Sequence, residues 1–462
     1  MNRRSTLATA LALACSAFGL TAVTTGTAQA ANGHHYYVSA AGSDGNAGTD
    51  PAHPFRTIQK AADLTEPGDT VYVMNGTYSE AEPKTDVVTI TRSGAPGAPI
   101  TYRNFPGQHP VIHPITGWHG FNVLGSSYLQ VIGLEFKGDS ENLNLADAEQ
   151  NANRTDPTYN TNCLAFYKDP TTGAPSHHLV IRDNDVHDCP GAGISVNDAD
   201  YITIDRNTVH STSWYNVFAT SGISILRATD VDHEQTSGYK VRITNNVVHD
   251  NETKVKWSSC DCYSDGNGII IDFNRHEGIP GDPYTGRTLV ANNLSYDNGG
   301  SGIHSFNSQH VDIVNNTAYY NSRQDKLPYD GYPNIYAGYS KDVRLLNNIS
   351  YARPGKATNK VGHNTDVVYD YNVYYNGLAP ETMGPHDVVA DPKFVSASTD
   401  PAKADFHVRD DSPALDSGTG FPAVPTDQLG VPRGLGGAYD RGVYENLPRQ
   451  GKSAGARTSP SQ

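Results

Sequence analysis

The chain has 462 residues, 37% of them hydrophobic and 18% charged, and a formal net charge of −15. A surface this acidic repels nucleic acid and anionic lipid, so partners held through a broad basic face are excluded. An acidic glycan remains open to it wherever local Lys or Arg, or a bound divalent cation, reverses the sign.

Residues 1–30 read as an export signal: Arg3 and Arg4 form a basic start, Leu7 to Val23 is apolar, and Ala28-Gln29-Ala30 has the small-x-small cleavage pattern. Their removal takes two arginines and no acid, and moves the charge from −15 to −17. No later stretch approaches the ~20 apolar residues that span a bilayer. The expectation is a secreted, monomeric protein with neither a membrane nor a nucleic-acid partner.

Residues 36–78 contain Gly42-Ser43-Asp44-Gly45-Asn46, a helical stretch near Thr57 to Leu64 and a strand Asp69-Thr70-Val71-Tyr72-Val73. This fits an amphipathic cap over the end of a solenoid occupying residues 31–390.

From Val180 onward one phrase returns, an alternating apolar strand ending in Asn. It occurs as Val180-Ile181-Arg182-Asp183-Asn184, Ile202-Thr203-Ile204-Asp205-Arg206-Asn207 and Val241-Arg242-Ile243-Thr244-Asn245-Asn246, then ends on Asn293, Asn316, Asn348 and Asn372. The marker asparagines are spaced by 23, 39, 47, 23, 32 and 24 residues. A floor of 23 to 24 is one coil and the excess is loop, which is the signature of a right-handed parallel β-helix. Stacked in register, the amides form an inner ladder at a tight turn and tolerate left-handed backbone.

A second phrase, Gly193-Ile194-Ser195-Val196, Gly222-Ile223-Ser224-Ile225, Gly268-Ile269-Ile270-Ile271 and Gly302-Ile303-His304-Ser305, marks another strand of each coil. Period-two alternation points each Ile inward and the next residue outward.

The Asn-to-Gly interval is 9 residues in the bare coils, but 15 before Gly222 and 22 before Gly268. The Gly-to-Asn interval grows likewise from 14 to 24 and 25. Long loops flanking one stretch of a rigid scaffold mark a binding groove. Its outward rows read Ser195, Ser224, Ile270, His304 and Asn197, Leu226, Asp272, Phe306.

Asp265, Asp272, His304 and Lys256 are the candidate catalytic groups there. Trp257 and Phe306 offer faces to sugar rings, Arg275 and Arg287 suit uronate groups, Asn267 is a further polar contact, and Asp265 with Asp272 is a candidate calcium site. The expected ligand is an extracellular polysaccharide.

Cys163 and Cys189 are one coil apart and suit a disulfide between neighbouring rungs. Cys260-Asp261-Cys262 leaves open a bridge across one residue or a metal contact. Residues 391–445, rich in Pro, Gly and Asp, fit a closing segment, and 446–462 a disordered tail.

The repeats resemble the pectate-lyase-like β-helix superfamily, and within it the family 9 polysaccharide lyases. The likeness rests on Tyr36-Tyr37-Val38-Ser39 through Gly68-Asp69-Thr70-Val71-Tyr72-Val73, and on Asp265-Gly266-Asn267-Gly268 through Asn315-Asn316-Thr317-Ala318-Tyr319. It implies an all-β solenoid acting on pectin-like glycans with calcium. The machinery departs from the family pattern, in which a catalytic lysine stands two residues after the second Gly of Gly-Asn-Gly. Here that residue is Ile270, and the preceding coil, Thr220-Ser221-Gly222-Ile223-Ser224, lacks the calcium-binding aspartates.

Three functions compete. A β-eliminating lyase would use Lys256 or His304 as base, with Arg275 or calcium as stabiliser. A glycoside hydrolase would use Asp265 and Asp272 as its carboxylate pair. A non-catalytic glycan-binding protein would display the same row without cleaving.

Overall fold

Three parallel sheets wind the chain into a β-helix. The structure, a computed structural model, describes residues 33–447 apart from 234–237, 279–280 and 329–331. The expected leader and most of the expected tail lie outside the described residues.

The first sheet has eleven strands, from His35–Val38 to Thr365–Asp370, and the third also has eleven, from Thr77–Tyr78 to Val388–Val389. Between them runs the eight-stranded groove sheet, from Val88–Ile90 to Ile335–Gly338. Each strand pairs in parallel with the coils before and after it, so backbone groups are satisfied along the axis and side chains alternate in and out.

The inward column of the groove sheet is Ile194, Ile223, Ile269, Ile303 and Ile335, each at most 3% exposed. Burying one such side chain contributes about 1.5–3 kcal/mol. Among the described residues no helix is long and apolar enough to cross a membrane. The helix expected near Thr57 forms at Ile58–Ala62, capped by the Thr57 side chain, with Ile58, Ala61 and Ala62 in the main core.

The marker asparagines form the expected ladder. Each Nδ2 donates to the next Oδ1, Asn184 to Asn207 at 2.9 Å, Asn207 to Asn246 at 3.0 Å, Asn246 to Asn293 at 2.9 Å and Asn293 to Asn316 at 3.0 Å. The chain of amides continues through Asn348 and Asn372 and ends on Asp387.

Left-handed backbone belongs to the preceding residue rather than to the marker. Asp183, Arg206, Asn245, Asn292 and Asn315 have φ between 54° and 60°. That residue makes the corner, and the marker amide then points inward. A second ladder, Asn251 to Asn298 to Asn321 to Asn334, turns the chain into the groove sheet and has no matching phrase in the sequence reading.

Cys163 and Cys189 are joined across neighbouring coils, and Cys260 is joined to Cys262. The latter pairing settles Cys260-Asp261-Cys262 as a covalent pin in the loop before the groove strand Ile269–Asp272. Residues expected to close the solenoid run along its flank. Phe394, Phe406 and Val408 pack on Tyr296, Tyr319 and Ile349 of the third sheet, and Phe421 and Val424 on Leu289 and Val314 of the first.

Candidate active site

The loops lengthened around Gly222 and Gly268 enclose a cleft of about 390 Å³ on the outward face of the groove sheet. Asp265 and Asp272 both line it. Asp272 stands in register with Leu226 on one side and Phe306 on the other, and Ile270 with His304, as the alternation requires.

Asp265 enters the strand through a kink. Its φ is 64°, the left-handed conformation that also makes the coil corners and that Asp adopts more readily than most residues. Gly266 follows with φ 67°, and a Cβ there would lie 2.5 Å from the Thr253 amide nitrogen. Only glycine lets the two loops approach this closely.

The Asp265 carboxylate accepts hydrogen bonds from Asn267 Nδ2 at 3.0 Å and Ser264 Oγ at 2.7 Å. Asn267 is itself fixed, donating to Ser221 Oγ at 3.0 Å and accepting from the Ser301 amide at 2.9 Å. It is fully buried, so it positions Asp265 and does not contact substrate, contrary to the sequence expectation.

Burial pushes the Asp265 carboxyl up to about 6, against the pull of these hydrogen bonds. Asp272 is held well above the usual carboxylate range, first by burial and then by the Asp265 charge, with Arg227 opposing. Arg227 is engaged elsewhere in a two-pronged pair with Asp198, at 2.9 Å through each nitrogen. Asp272 Oδ1 is buried without a hydrogen-bond partner among the described residues. Two acids of raised pKa in one cleft, one of them raised by the charge of the other, are the arrangement from which acid–base roles are assigned.

The other sequence candidates separate from this centre. His304 is 3% exposed and stacks on Tyr336 at 4.7 Å, and burial pushes it down to about 3. A group so weakly basic and so enclosed does not serve as the proton acceptor. Lys256 pairs with Asp261 at 3.1 Å and, with Trp257, lines a separate hollow of about 350 Å³.

Arg275 is tied to Glu277 at 2.8 Å and to the Tyr339 carbonyl at 2.6 Å. Arg287 lies on the first sheet and binds Asp312 and Asp342. Phe306 packs against Phe273 and Tyr339 rather than lining the cleft. Spacing brought all of these near one coil, but it did not say which sheet or which partner each would face.

Sequence reasoning missed the upstream wall of the cleft. Arg154, His119, Asn162, Tyr167 and Phe218 line it. Arg154 lies with its guanidinium 4.7 Å from the Phe218 ring centre and donates to Ser258 and Ser259 hydroxyls at 3.2 and 3.1 Å. Among the described residues it has no carboxylate partner. The signal was available in the strand Asn162–Tyr167, which continues the groove sheet but lacks the Gly-Ile start used to recognise its neighbours.

The donor set does not fit calcium. Among the described residues no group of three His, Cys, Asp or Glu side chains could hold a metal ion. Calcium takes six to eight oxygens, whereas the two Asp carboxylates at this end of the cleft, Asp265 and Asp272, supply at most four. Glycan cleavage in excess EDTA is therefore expected to stay within about twofold of the untreated rate, the tenfold loss per 1.4 kcal/mol serving as the scale. A loss restored by added calcium would overturn this assignment.

Residues 36–332 match the family described as Pel9A-like, right handed beta helix region. The uncharacterized protein YwoF of Bacillus subtilis (strain 168) is 30% identical over 156 residues, 34% of this chain and 29% of that protein. Pectate lyase PEL9 of Emericella nidulans is 41% identical over 76 residues, 16% of this chain and 17% of that protein. The chain thus matches less than a third of the length of either relative. The crystal structure of pectate lyase Pel9A superposes with a TM-score of 0.52, covering 89% of this chain and 96% of that one at 15% identity. At that identity the likeness is one of fold.

Proposed function

The chain belongs to the Pel9A-like right-handed β-helix family, and on that premise we propose that it is an exported enzyme that hydrolyses a glycosidic bond in a uronate-containing polysaccharide. The observation that carries this reading is the pair of half-buried carboxyls in one cleft, Asp265 raised to about 6 by burial and Asp272 raised by burial and by the Asp265 charge.

Asp272 enters the reaction protonated and donates its proton to the glycosidic oxygen as the bond to the anomeric carbon breaks. Asp265, ionised and held by Ser264 and Asn267, supplies the opposing negative charge. It attacks the anomeric carbon directly if configuration is retained, or takes a proton from the attacking water if it is inverted. Arg154 is the cation of the cleft wall left to meet a uronate carboxylate, supported from behind by the Phe218 ring.

β-Elimination is the second reading, favoured by the family itself and by the pectate lyase among the relatives. The buried, weakly basic His304, and Lys256 paired with Asp261 in the adjoining hollow, weigh against it. Incubating the protein with polygalacturonate and with other uronate and neutral polymers separates the two. Hydrolysis gives new reducing ends without ultraviolet-absorbing product, and elimination gives both. Reducing ends that always arise together with absorbance would replace the hydrolase reading by the lyase.

Arg154→Ala is expected to raise KM on the uronate polymer about tenfold or more, since a charge-assisted hydrogen bond contributes ~1.5–3 kcal/mol, with kcat little changed. An unchanged KM would remove Arg154 from substrate recognition.

A further inference from the structure

The carboxylates stand at one end of the cleft rather than in its middle. Cleft residues come from four successive upstream coils, represented by His119, Tyr167, Ser195 and Ser224, and stop at Asp265 and Asp272. Four strand spacings of ~4.8 Å give a cleft about 19 Å long on that side.

Beyond the carboxylate coil the outward row that begins at Ser195 is covered, and in Asp272's own row the partly exposed Phe306 packs against Phe273 and Tyr339. Ser195 and Ser224 are partly exposed, but Ile270, His304 and Tyr336, which follow them in register, are 5%, 3% and 7% exposed. Outward residues of an open groove are wetted; these are sealed.

Described residues of the connection before the strand Ile335–Gly338, on either side of 329–331, stand against this end of the cleft. In the preceding coil the chain passes from Tyr296 to Ile303, but here it runs from Tyr319 to Ile335. Its described residues Gln324, Lys326 and Tyr332 reach the loop that ends at Asp265. Gln324 Nε2 donates to Glu252 Oε1 at 3.3 Å and to the Thr253 carbonyl at 3.1 Å, and Lys326 Nζ donates to Tyr263 OH at 3.0 Å. Tyr332 OH lies 3.2 Å from Ser264 Oγ, whose hydroxyl donates to Asp265. The wall therefore closes directly against the reacting carboxylate.

We infer that the cleft is blind at the carboxylate coil, so that the enzyme takes the end of a glycan chain and releases a short terminal unit instead of cutting internally. This rests on the hydrolase reading for the cleavage step, but the blind end is a property of binding and is testable apart from it.

Two measurements test it with hexagalacturonate as probe. Wild-type protein is expected to release one short product of fixed length from the first minutes, leaving polygalacturonate viscosity nearly unchanged while reducing ends appear. Asp272→Asn protein is expected to bind hexagalacturonate at least tenfold more weakly when a bulky fluorophore is attached at one chain end, and normally when it is attached at the other.

Tyr332→Ala is expected to abolish that end-selectivity and to broaden the product range, whereas Tyr332→Phe, which keeps the ring as a wall, preserves both. A mixture of mid-length products from the outset, or equal binding of both end-labelled probes, would overturn the inference. End-selective binding without turnover would uphold the blind cleft and sink the hydrolase reading.

Discussion

Asp272→Asn is expected to lower kcat on the natural glycan by roughly 10²- to 10⁴-fold, the range contributed by a positioned general acid. The loss should be much smaller on an aryl glycoside of the same sugar, whose leaving group departs without a proton. Asp265→Asn should be as damaging on both substrates, because no leaving group replaces a nucleophile or base. Equal losses for Asp272→Asn on good and poor leaving groups would deny it the acid role.

The pH profile follows from the same pair. Cleavage needs Asp265 ionised, so kcat/KM is expected to rise with pH through about 6. Asp272, raised by burial and by the Asp265 charge, gives up its proton after Asp265, and activity falls when it ionises. In Asp265→Asn protein the like charge is gone, and Asp272 should titrate at lower pH by carbon-detected NMR.

The stability sign is also fixed. The folded state holds the Asp272 proton more tightly than the unfolded chain, so its contribution is full below the unfolded value of ~3.9 and is lost as pH rises towards the folded value. Asp272→Asn removes that loss and should be more stable than the parent at neutral pH, a trade of stability for chemistry at the site.

The second large effect lies in the core. Asn293→Ala is expected to destabilise the solenoid by about 3–5 kcal/mol, because several buried groups lose partners at ~1–3 kcal/mol each. Asn293 Oδ1 accepts from the Asn246 amide at 3.0 Å and from Asn246 Nδ2 at 2.9 Å, while its Nδ2 donates to the Ile243 carbonyl at 2.9 Å and to Asn316 at 3.0 Å.

The guanidinium midpoint, with hydrogen exchange at the Asn246 amide, measures this coil by coil, which suits an array whose repeats need not unfold together. A substitution at exposed Lys341 should change the unfolding free energy by no more than about 0.5 kcal/mol. A loss for Asn293→Ala no larger than that would mean that the ladder is incidental to the fold.

The solenoid was legible from the chain alone because each coil repeats one physical problem. An inward Ile must stack on the Ile above and below, and an amide at the corner must meet the next amide. Those demands recur at a fixed interval, so Asn184 to Asn372 and Gly193 to Gly302 announce both sheets, and the lengthened intervals announce the coils that carry the cleft. Asp265 and Asp272 followed from the same arithmetic, since alternation places one outward on the strand and the other at its entrance.

The fate of a long polar side chain is not periodic, and only the tertiary structure decided it. Arg287 found carboxylates on the following coils, Arg275 and Lys256 found them within their own loops, His304 was stacked and sealed, and Arg154 arrived from a loop outside the repeat. Contacts between loops depend on closures across many coils, with no fixed spacing to read. The repeat determined the scaffold and the place of the carboxylates. Burial in three dimensions decided that both carboxyls are raised above the ordinary range and that the cleft ends beside them.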